Sequence, residues 1–304
     1  MHDLIVVGAG PAGLSASIYA SRYGVKHLIL GESMGGTITL AHKVDNFPGL
    51  PGLTGGDLAQ KIADHAKSFG VEVKPKEVTK IERQDGGFSL TVSDGESFQA
   101  KAVILATGTR RRELGVPGEK EFLGKGVSYC VTCDAPFFKD KVVAVVGGAN
   151  AACSGVVHVS AFAKHVFLLY RKSNLRAEKA WIDEIEKKDN IDILYETNVL
   201  EIKGSDKVER ISLDKEHDGK KELEVDGVFV EIGGVPAATL MKELGVECDE
   251  EGYVKTDERM KTNVEGIFSA GDINSTNKDF QQVVSACAEG ALASLSAYNF
   301  LKKD

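Results

Sequence analysis

The hydrophobic positions of this chain fall into short unbroken runs. Leu4-Ile5-Val6-Val7, His27-Leu28-Ile29-Leu30, Ala102-Val103-Ile104-Leu105-Ala106, Val142-Val143-Ala144-Val145-Val146 and Val166-Phe167-Leu168-Leu169 each read as a strand buried on both faces, as in a parallel sheet. Residues 57–69 carry apolar positions at helical spacing, and residues 71–98 alternate and turn like a small antiparallel sheet. Alternation returns over 191–230, and a closing helix is expected over 281–301. Strands alternating with helices predict an α/β fold. The expectation is two Rossmann-like, three-layer nucleotide-binding domains, each with an accessory antiparallel sheet.

The turns between these runs carry the first chemistry. Gly8-Ala9-Gly10-Pro11-Ala12-Gly13 follows the first strand and opens a helix to about residue 24. Gly8 permits the turn, Gly10 lets backbone amides approach a pyrophosphate, and Gly13 lets the helix pack on the strand. Unpaired N–H groups at the helix start then face the anion. A strand before and a second strand after make this a predicted dinucleotide site. Glu32, just past the second strand, is either a ribose ligand or a solvated loop carboxylate. The pattern then repeats: a strand, Gly147-Gly148-Ala149-Asn150-Ala151-Ala152, a helix to about residue 164, and another strand. In this copy Arg171 and Lys172 follow the second strand, with Arg176 just beyond. Cations there suit the 2′-phosphate of NADP rather than NAD; the alternative is a solvated basic loop. Gly/Pro-rich and acidic stretches at 109–118 and 245–252 read as interdomain links. The expected division is 1–114 plus 246–304 for one domain and 115–245 for the other.

Composition adds a redox group. Cys130 and Cys133 stand three apart in Tyr129-Cys130-Val131-Thr132-Cys133-Asp134, a spacing that closes a small disulfide ring and reads as a redox dithiol among βαβ units. Asp134 lies where a proton could pass to a leaving thiolate. Half of a zinc site is the other reading, but four ligands are needed and no second Cys-x-x-Cys or histidine pair is present. Cys153 is either a third redox thiol or a buried small hydrophobe. The formal net charge of −8 argues against nucleic acid or an anionic membrane as partner. The sequence shows no signal-peptide pattern and no apolar run of spanning length, so the expected location is a reducing cytoplasm.

The order of these pieces resembles the low-molecular-weight thioredoxin reductases across essentially the whole chain. Its specific mark is Cys130-x-x-Cys133-Asp134 inside the second nucleotide domain. The resemblance implies FAD on the first domain, where Gly8, Gly10, Pro11, Ala12 and Gly13 would meet the pyrophosphate. Glu32, Gly36 and Thr37 would lie along the nucleotide, and Asn46 on the flavin side. Asp272 would hold the ribityl chain, and Gln281, Gln282 and Val283 the ring edge, while Val73, Ala106, Thr107, Gly108 and Gly271 would also contact FAD. NADPH would take Gly147, Ala149, Asn150, Ala151, Arg171, Lys172 and Arg176. The implied function is electron transfer from NADPH through FAD and the Cys130/Cys133 dithiol to a thioredoxin or thioredoxin-like disulfide. Cys133 would face the flavin, Cys130 would attack the partner, and Asp134 would act as acid and base. The resemblance also implies a homodimer, and a domain rotation about the two links. The chain departs from the family pattern at Ala149 (usually glycine), at Cys153-Ser154-Gly155 (usually acidic), at Tyr170-Arg171-Lys172 (usually His-Arg-Arg) and at Gln281 (commonly arginine). Two alternatives follow: the same chemistry fed by a donor such as ferredoxin, and a flavin-binding redox sensor without turnover.

Overall fold

The computed structural model describes every residue except 42, 237, 238, 279, 303 and 304. The chain begins β1 (His2–Val7), α1 (Pro11–Arg22), β2 (His27–Leu30), α2 (Gly55–Ser68), β3 (Val73–Lys74), β4 (Val78–Gln84), β5 (Gly87–Val92), β6 (Ser97–Leu105) and β7 (Thr109–Arg111). It continues β8 (Val127–Ser128), α3 (Val131–Asp134), β9 (Val142–Val146), α4 (Asn150–Val159), β10 (His165–Tyr170), α5 (Lys179–Glu186), β11 (Ile191–Tyr195), β12 (Val199–Gly204), β13 (Val208–His217), β14 (Lys220–Glu224) and β15 (Gly227–Val230). It closes with β16 (Gly234–Pro236), α6 (Thr239–Leu244), β17 (Ile267–Ser269) and α7 (Val283–Leu301). Two compact units result: Met1–Arg110 with Val235–Asp304, and Arg111–Gly234.

The sheet of the first unit runs β3-β2-β1-β6-β5-β4, with β17 also on β6. β1, β2, β3, β6 and β17 are mutually parallel, while β4 and β5 are antiparallel. The antiparallel pair expected over 71–98 is therefore an extension of the main sheet. The nine residues of β6 make this possible: Ser97 to Ala100 pair with β5, and Val103 to Leu105 with β17. Side chains alternate faces along a strand, so a run buried on both faces must be apolar throughout. Leu4, Val6 and Ile104 pack with α1 and α7 through Leu14, Ala293 and Ala297. Ile5, Val7, Val103 and Leu105 pack on the other face with Leu90 and Met241. Each such side chain, fully buried, contributes about 1.5–3 kcal/mol.

Leu240 and Met241 of α6 lie in that second cluster, and the first unit resumes at Val235. The Gly/acid-rich stretch at 245–252 puts the expected boundary about ten residues later, because its composition resembles a link while the packing of Leu240 and Met241 is set by a distant core. In the second unit the order β11-β10-β9-β15-β8 is wholly parallel, and β12-β13-β14 form a separate antiparallel sheet. Among the described residues no helix is long and apolar enough to cross a membrane.

Candidate redox and dinucleotide sites

Cys130 and Cys133 are joined by a disulfide, with Cα atoms 5.3 Å apart, on the short turn of α3. Cys130 caps the turn: its Sγ accepts from the Cys133 N–H at 3.2 Å, and its carbonyl from the Asp134 N–H at 3.1 Å. The Ser128 hydroxyl accepts from the Cys130 N–H at 3.0 Å. Cys133 is exposed and Cys130 half-buried. Four residues beyond Cys133, Phe137 is 73% exposed. Among the described residues no cluster of three or more His, Cys, Asp or Glu could hold a metal.

In the first unit, Gly8 leaves β1 at φ +115°, and a Cβ there would stand 2.1 Å from the Ala106 carbonyl oxygen. A methyl on Gly13 would stand 1.9 Å from the Gly8 carbonyl oxygen, so strand end and helix start touch backbone to backbone. Gly10 begins α1, and a Cβ on Gly36 would lie 3.1 Å from its Cα. Two glycine turns thus face one another with no side chain between them. The Thr107 hydroxyl beside them is buried without a hydrogen-bond partner. A cavity of about 450 Å³ is lined by Glu32, Met34, Lys67, Val71 and Val73 among others.

The loop before α7 gathers more of the expected residues. The Asn46 amide donates to Gln282 Oε1 at 2.9 Å, and Gln281 donates to the Asp272 carbonyl at 3.1 Å. Burial pushes the Asp272 carboxyl up to about 6, and the nearby charge of Glu289 adds to the effect. Glu289 is buried in α7, where it accepts from the Gly271 N–H at 2.7 Å and from Asn274 and Asn277. It fixes the loop that presents Asp272. Thr37 lies exposed on the 3₁₀ turn Gly36–Leu40, and Val283 opens α7.

A profile of the pyridine nucleotide-disulphide oxidoreductases matches residues 2–290. The chain belongs to this family. Within it the chain falls among the low-molecular-weight thioredoxin reductases. It is 40% identical to the thioredoxin reductase of Treponema pallidum over 303 residues, which cover 99% of this chain and 97% of that one. The crystal structure of Lactococcus lactis thioredoxin reductase matches with TM-score 0.95 at 32% identity, covering 100% of both chains. That of T. acidophilum thioredoxin reductase matches with TM-score 0.92 at 38% identity, covering 98% of each. A ferredoxin-flavin thioredoxin reductase from Clostridium acetobutylicum matches with TM-score 0.55 at 31% identity, covering 100% of this chain and 99% of that one.

Against this thioredoxin reductase background the second glycine turn stands out. A Cβ on Gly148 would lie 2.3–2.5 Å from the ring of Tyr170, so that ring lies flat against the turn. The Arg176 N–H donates to the Gly148 carbonyl at 2.7 Å, and Asn150 and Glu178 are joined by two hydrogen bonds. Arg171, Lys172 and Arg176 are exposed at and beyond the end of β10, while Ala149 and Ala151 lie at the start of α4. Cys153 is fully buried, which pushes its thiol up to about 12 and leaves it inert as a nucleophile.

Besides Glu289, sequence reading missed two further acids. Glu119 is buried and accepts from the Leu114 and Gly115 N–H groups at 2.8 and 2.7 Å and from the Tyr129 hydroxyl at 2.8 Å. Glu231 follows β15 and pairs with Arg111 at 3.3 Å, and burial raises its carboxyl. Arg111 is 120 residues from Glu231 in the chain, and the donors to Glu119, though near in sequence, are two backbone N–H groups and a tyrosine hydroxyl that form no recognised motif.

Proposed function

We propose that this chain is an FAD-dependent thioredoxin reductase that takes electrons from NADPH and passes them, through Cys130 and Cys133, to the disulfide of a thioredoxin. FAD suits the first unit on three counts. The facing glycine turns leave room for a pyrophosphate beside backbone amides. The orphaned Thr107 hydroxyl lacks the polar partner that ribityl or ring atoms would supply, and Asp272 stands nearby in the loop before α7 as a further polar group for the ribityl chain. The cavity along Glu32 and Val73 suits the adenosine end. When bound, the flavin accepts a hydride and supplies an electron pair to a disulfide.

The chain's own residues do the rest. Reduction of the Cys130–Cys133 bond takes two electrons and two protons. The Cys133 N–H at Cys130 Sγ favours negative charge on that sulfur, which suits Cys130 to attack a partner disulfide. Cys133 then displaces the partner's thiolate from the mixed disulfide, and Asp134 gives and takes the protons. Phe137 offers the partner an apolar contact beside the bond. The chain works as a homodimer in the cytoplasm, consistent with the exposed apolar Val284, Leu292 and Leu295 along α7.

The observation that carries this reading is the Cys-x-x-Cys disulfide on the second unit of a chain matched end to end by thioredoxin reductases. A second reading, supply by ferredoxin or another donor, is favoured by the Tyr170 ring over Gly148 and by the Asn150–Glu178 bonds. Anaerobic titration tests both. NADPH should bleach the flavin, and added thioredoxin should then be reduced. No bleaching at millimolar NADPH, with bleaching by reduced ferredoxin, gives the second reading. Cys130→Ser should keep flavin reduction and lose all thioredoxin reduction; retained turnover would sink the dithiol's role.

A further inference from the structure

Glu119 is buried, with 1% of it exposed. A carboxylate removed from water must be met by donors, and the three that meet this one come from two sides. The N–H groups of Leu114 and Gly115, at 2.8 and 2.7 Å, lie just past Arg111, where the chain enters the second unit. The Tyr129 hydroxyl, at 2.8 Å, belongs to the residue next to Cys130. Oε1 takes both the Leu114 N–H and the Tyr129 hydroxyl, so the two sides share one oxygen. Burial and the Glu119 charge raise the Tyr129 phenol, which keeps it a donor. Each side has its own anchor. The Pro117 carbonyl accepts from the Ile202 N–H of β12 at 3.0 Å, and a Cβ on Gly118 would stand 2.0 Å from the Ile202 carbonyl oxygen. Opposite, Ser128 pairs with Phe229 of β15, and its hydroxyl accepts from the Cys130 N–H at 3.0 Å.

We propose that Glu119 is a positioning residue for the dithiol: it joins the entry stretch 114–119 to Tyr129, so that the Cys130–Cys133 bond and the hold on the Leu114 and Gly115 amides strengthen one another. A Tyr129 side chain held at its far end leaves the adjacent Cys130 fewer arrangements. Cys130 then has less freedom to lose when its sulfur meets that of Cys133, which favours the disulfide over the dithiol. Coupling free energies are reciprocal. Whatever closure of the disulfide gains from the bond between Glu119 and Tyr129, the grip of Glu119 gains from closure. Opening the pair, with two electrons and two protons that leave both sulfurs as thiols, therefore loosens Leu114 and Gly115. Packing runs the same way, since Leu114, Val116 and Tyr129 share one apolar cluster. The stretch 109–118 is the one whose composition marks it as a link, so the redox state of the pair is felt where a hinge is expected.

This rests on the reading of Cys130 and Cys133 as a cycling pair, and it is measured with neither NADPH nor thioredoxin, so failure of the donor or partner assignment leaves it standing. The flavin-bound protein is equilibrated in buffers of reduced and oxidised dithiothreitol and trapped with N-ethylmaleimide, and the peptide carrying both cysteines is resolved by mass. Tyr129→Phe should move the balance about tenfold toward the dithiol, equivalent to about 30 mV. In the unaltered chain, hydrogen–deuterium exchange at the Leu114 and Gly115 amides should run roughly tenfold faster in the reduced protein than in the oxidised one, and Tyr129→Phe should abolish that difference. If Glu119 merely braces its own turn, the redox balance of the variant does not move. A balance unmoved, or moved toward the disulfide, overturns the proposal. Should the variant not fold, equal exchange in the two redox states of the unaltered chain overturns it equally. A Cys130–Cys133 bond that no dithiothreitol buffer opens overturns the proposal together with the reading it rests on.

Discussion

The two glycine turns are built on the same plan and end up chemically different. Gly8 and Gly147 both leave their strands with φ well above zero, at +115° and +148°. A Cβ on each would strike a carbonyl oxygen just past the neighbouring parallel strand, β6 or β15: that of Ala106 at 2.1 Å and that of Glu231 at 2.2 Å. Beyond that point the copies diverge. The first turn faces Gly36, an unpartnered Thr107 hydroxyl and open space. The second lies under the Tyr170 ring and is bonded by the Arg176 N–H, with Asn150 tied to Glu178. Where the first copy has Ala106, the second has an acid that pairs with Arg111. A shared scaffold fixes where the backbone goes, while a few side chains decide what the space in front of it admits.

Substitution at the glycines breaks the comparison most sharply. In Gly8→Ala the new methyl meets immovable backbone and a positive φ, so the cost should reach about 3 kcal/mol or more, with loss of FAD. In Gly148→Ala the methyl meets a ring that can turn, and the cost should be only about 1–2 kcal/mol, with the flavin kept. Urea unfolding and flavin stoichiometry measure both; equal penalties would mean the two turns are equally rigid. Next in size is Tyr170→His, which puts a smaller ring that can carry charge over the second turn. It should lower the KM for NADPH roughly tenfold, equivalent to about 1.4 kcal/mol of binding. An unchanged KM in stopped-flow reduction would show that the tyrosine is not what limits entry.

Much of this architecture could be read from residue order, because apolar runs and glycines report local geometry. Leu4-Ile5-Val6-Val7 could only be a strand covered on both faces, and the structure covers both. The cysteine pair was equally local, three residues apart. The placement of 235–245 was not local. The adjoining stretch 245–252 resembles a link by composition, but Leu240 and Met241 are apolar for the sake of a core built mainly by residues 5–105. Glu119, Glu231 and Glu289 were hidden for the same reason. A buried carboxylate is recognised by the donors that surround it, and these are backbone N–H groups of Leu114 and Gly271 and the distant Arg111, which residue order alone does not point at a carboxylate.

Asp272 provides a smaller effect on the first side of the comparison. Its carboxyl titrates near 6 in the folded chain against an ordinary 3.8, so folding takes up a proton between those values. Ionisation of this group therefore costs the flavin-free chain stability as pH rises through that window, and the cost is absent below it. Asp272→Asn should stabilise the flavin-free chain at pH 8 and leave it nearly unchanged at pH 4. FAD should bind it roughly tenfold more weakly, for want of a charged acceptor. Thermal melts at the two pH values and an FAD titration check the pair of effects. A stability gain that is the same at both would assign the change to packing.

The least effect is expected where the copies agree in burial and differ in chemistry. Counting from Gly8 and Gly147, Leu14 and Cys153 occupy the same place, 1% and 0% exposed. Cys153 packs with Ala152, Val156 and Val145, as an aliphatic side chain would. With its thiol pushed up to about 12, almost none is thiolate at neutral pH. Cys153→Ala should cost about 1 kcal/mol for the small cavity it leaves and change turnover less than twofold. In the folded, reduced chain Cys153 should stay unalkylated while Cys130 and Cys133 react. A mixed disulfide between Cys153 and either of them, found by peptide mass after partial oxidation, would instead make the second copy's helix part of the electron path and its difference from Leu14 a functional one.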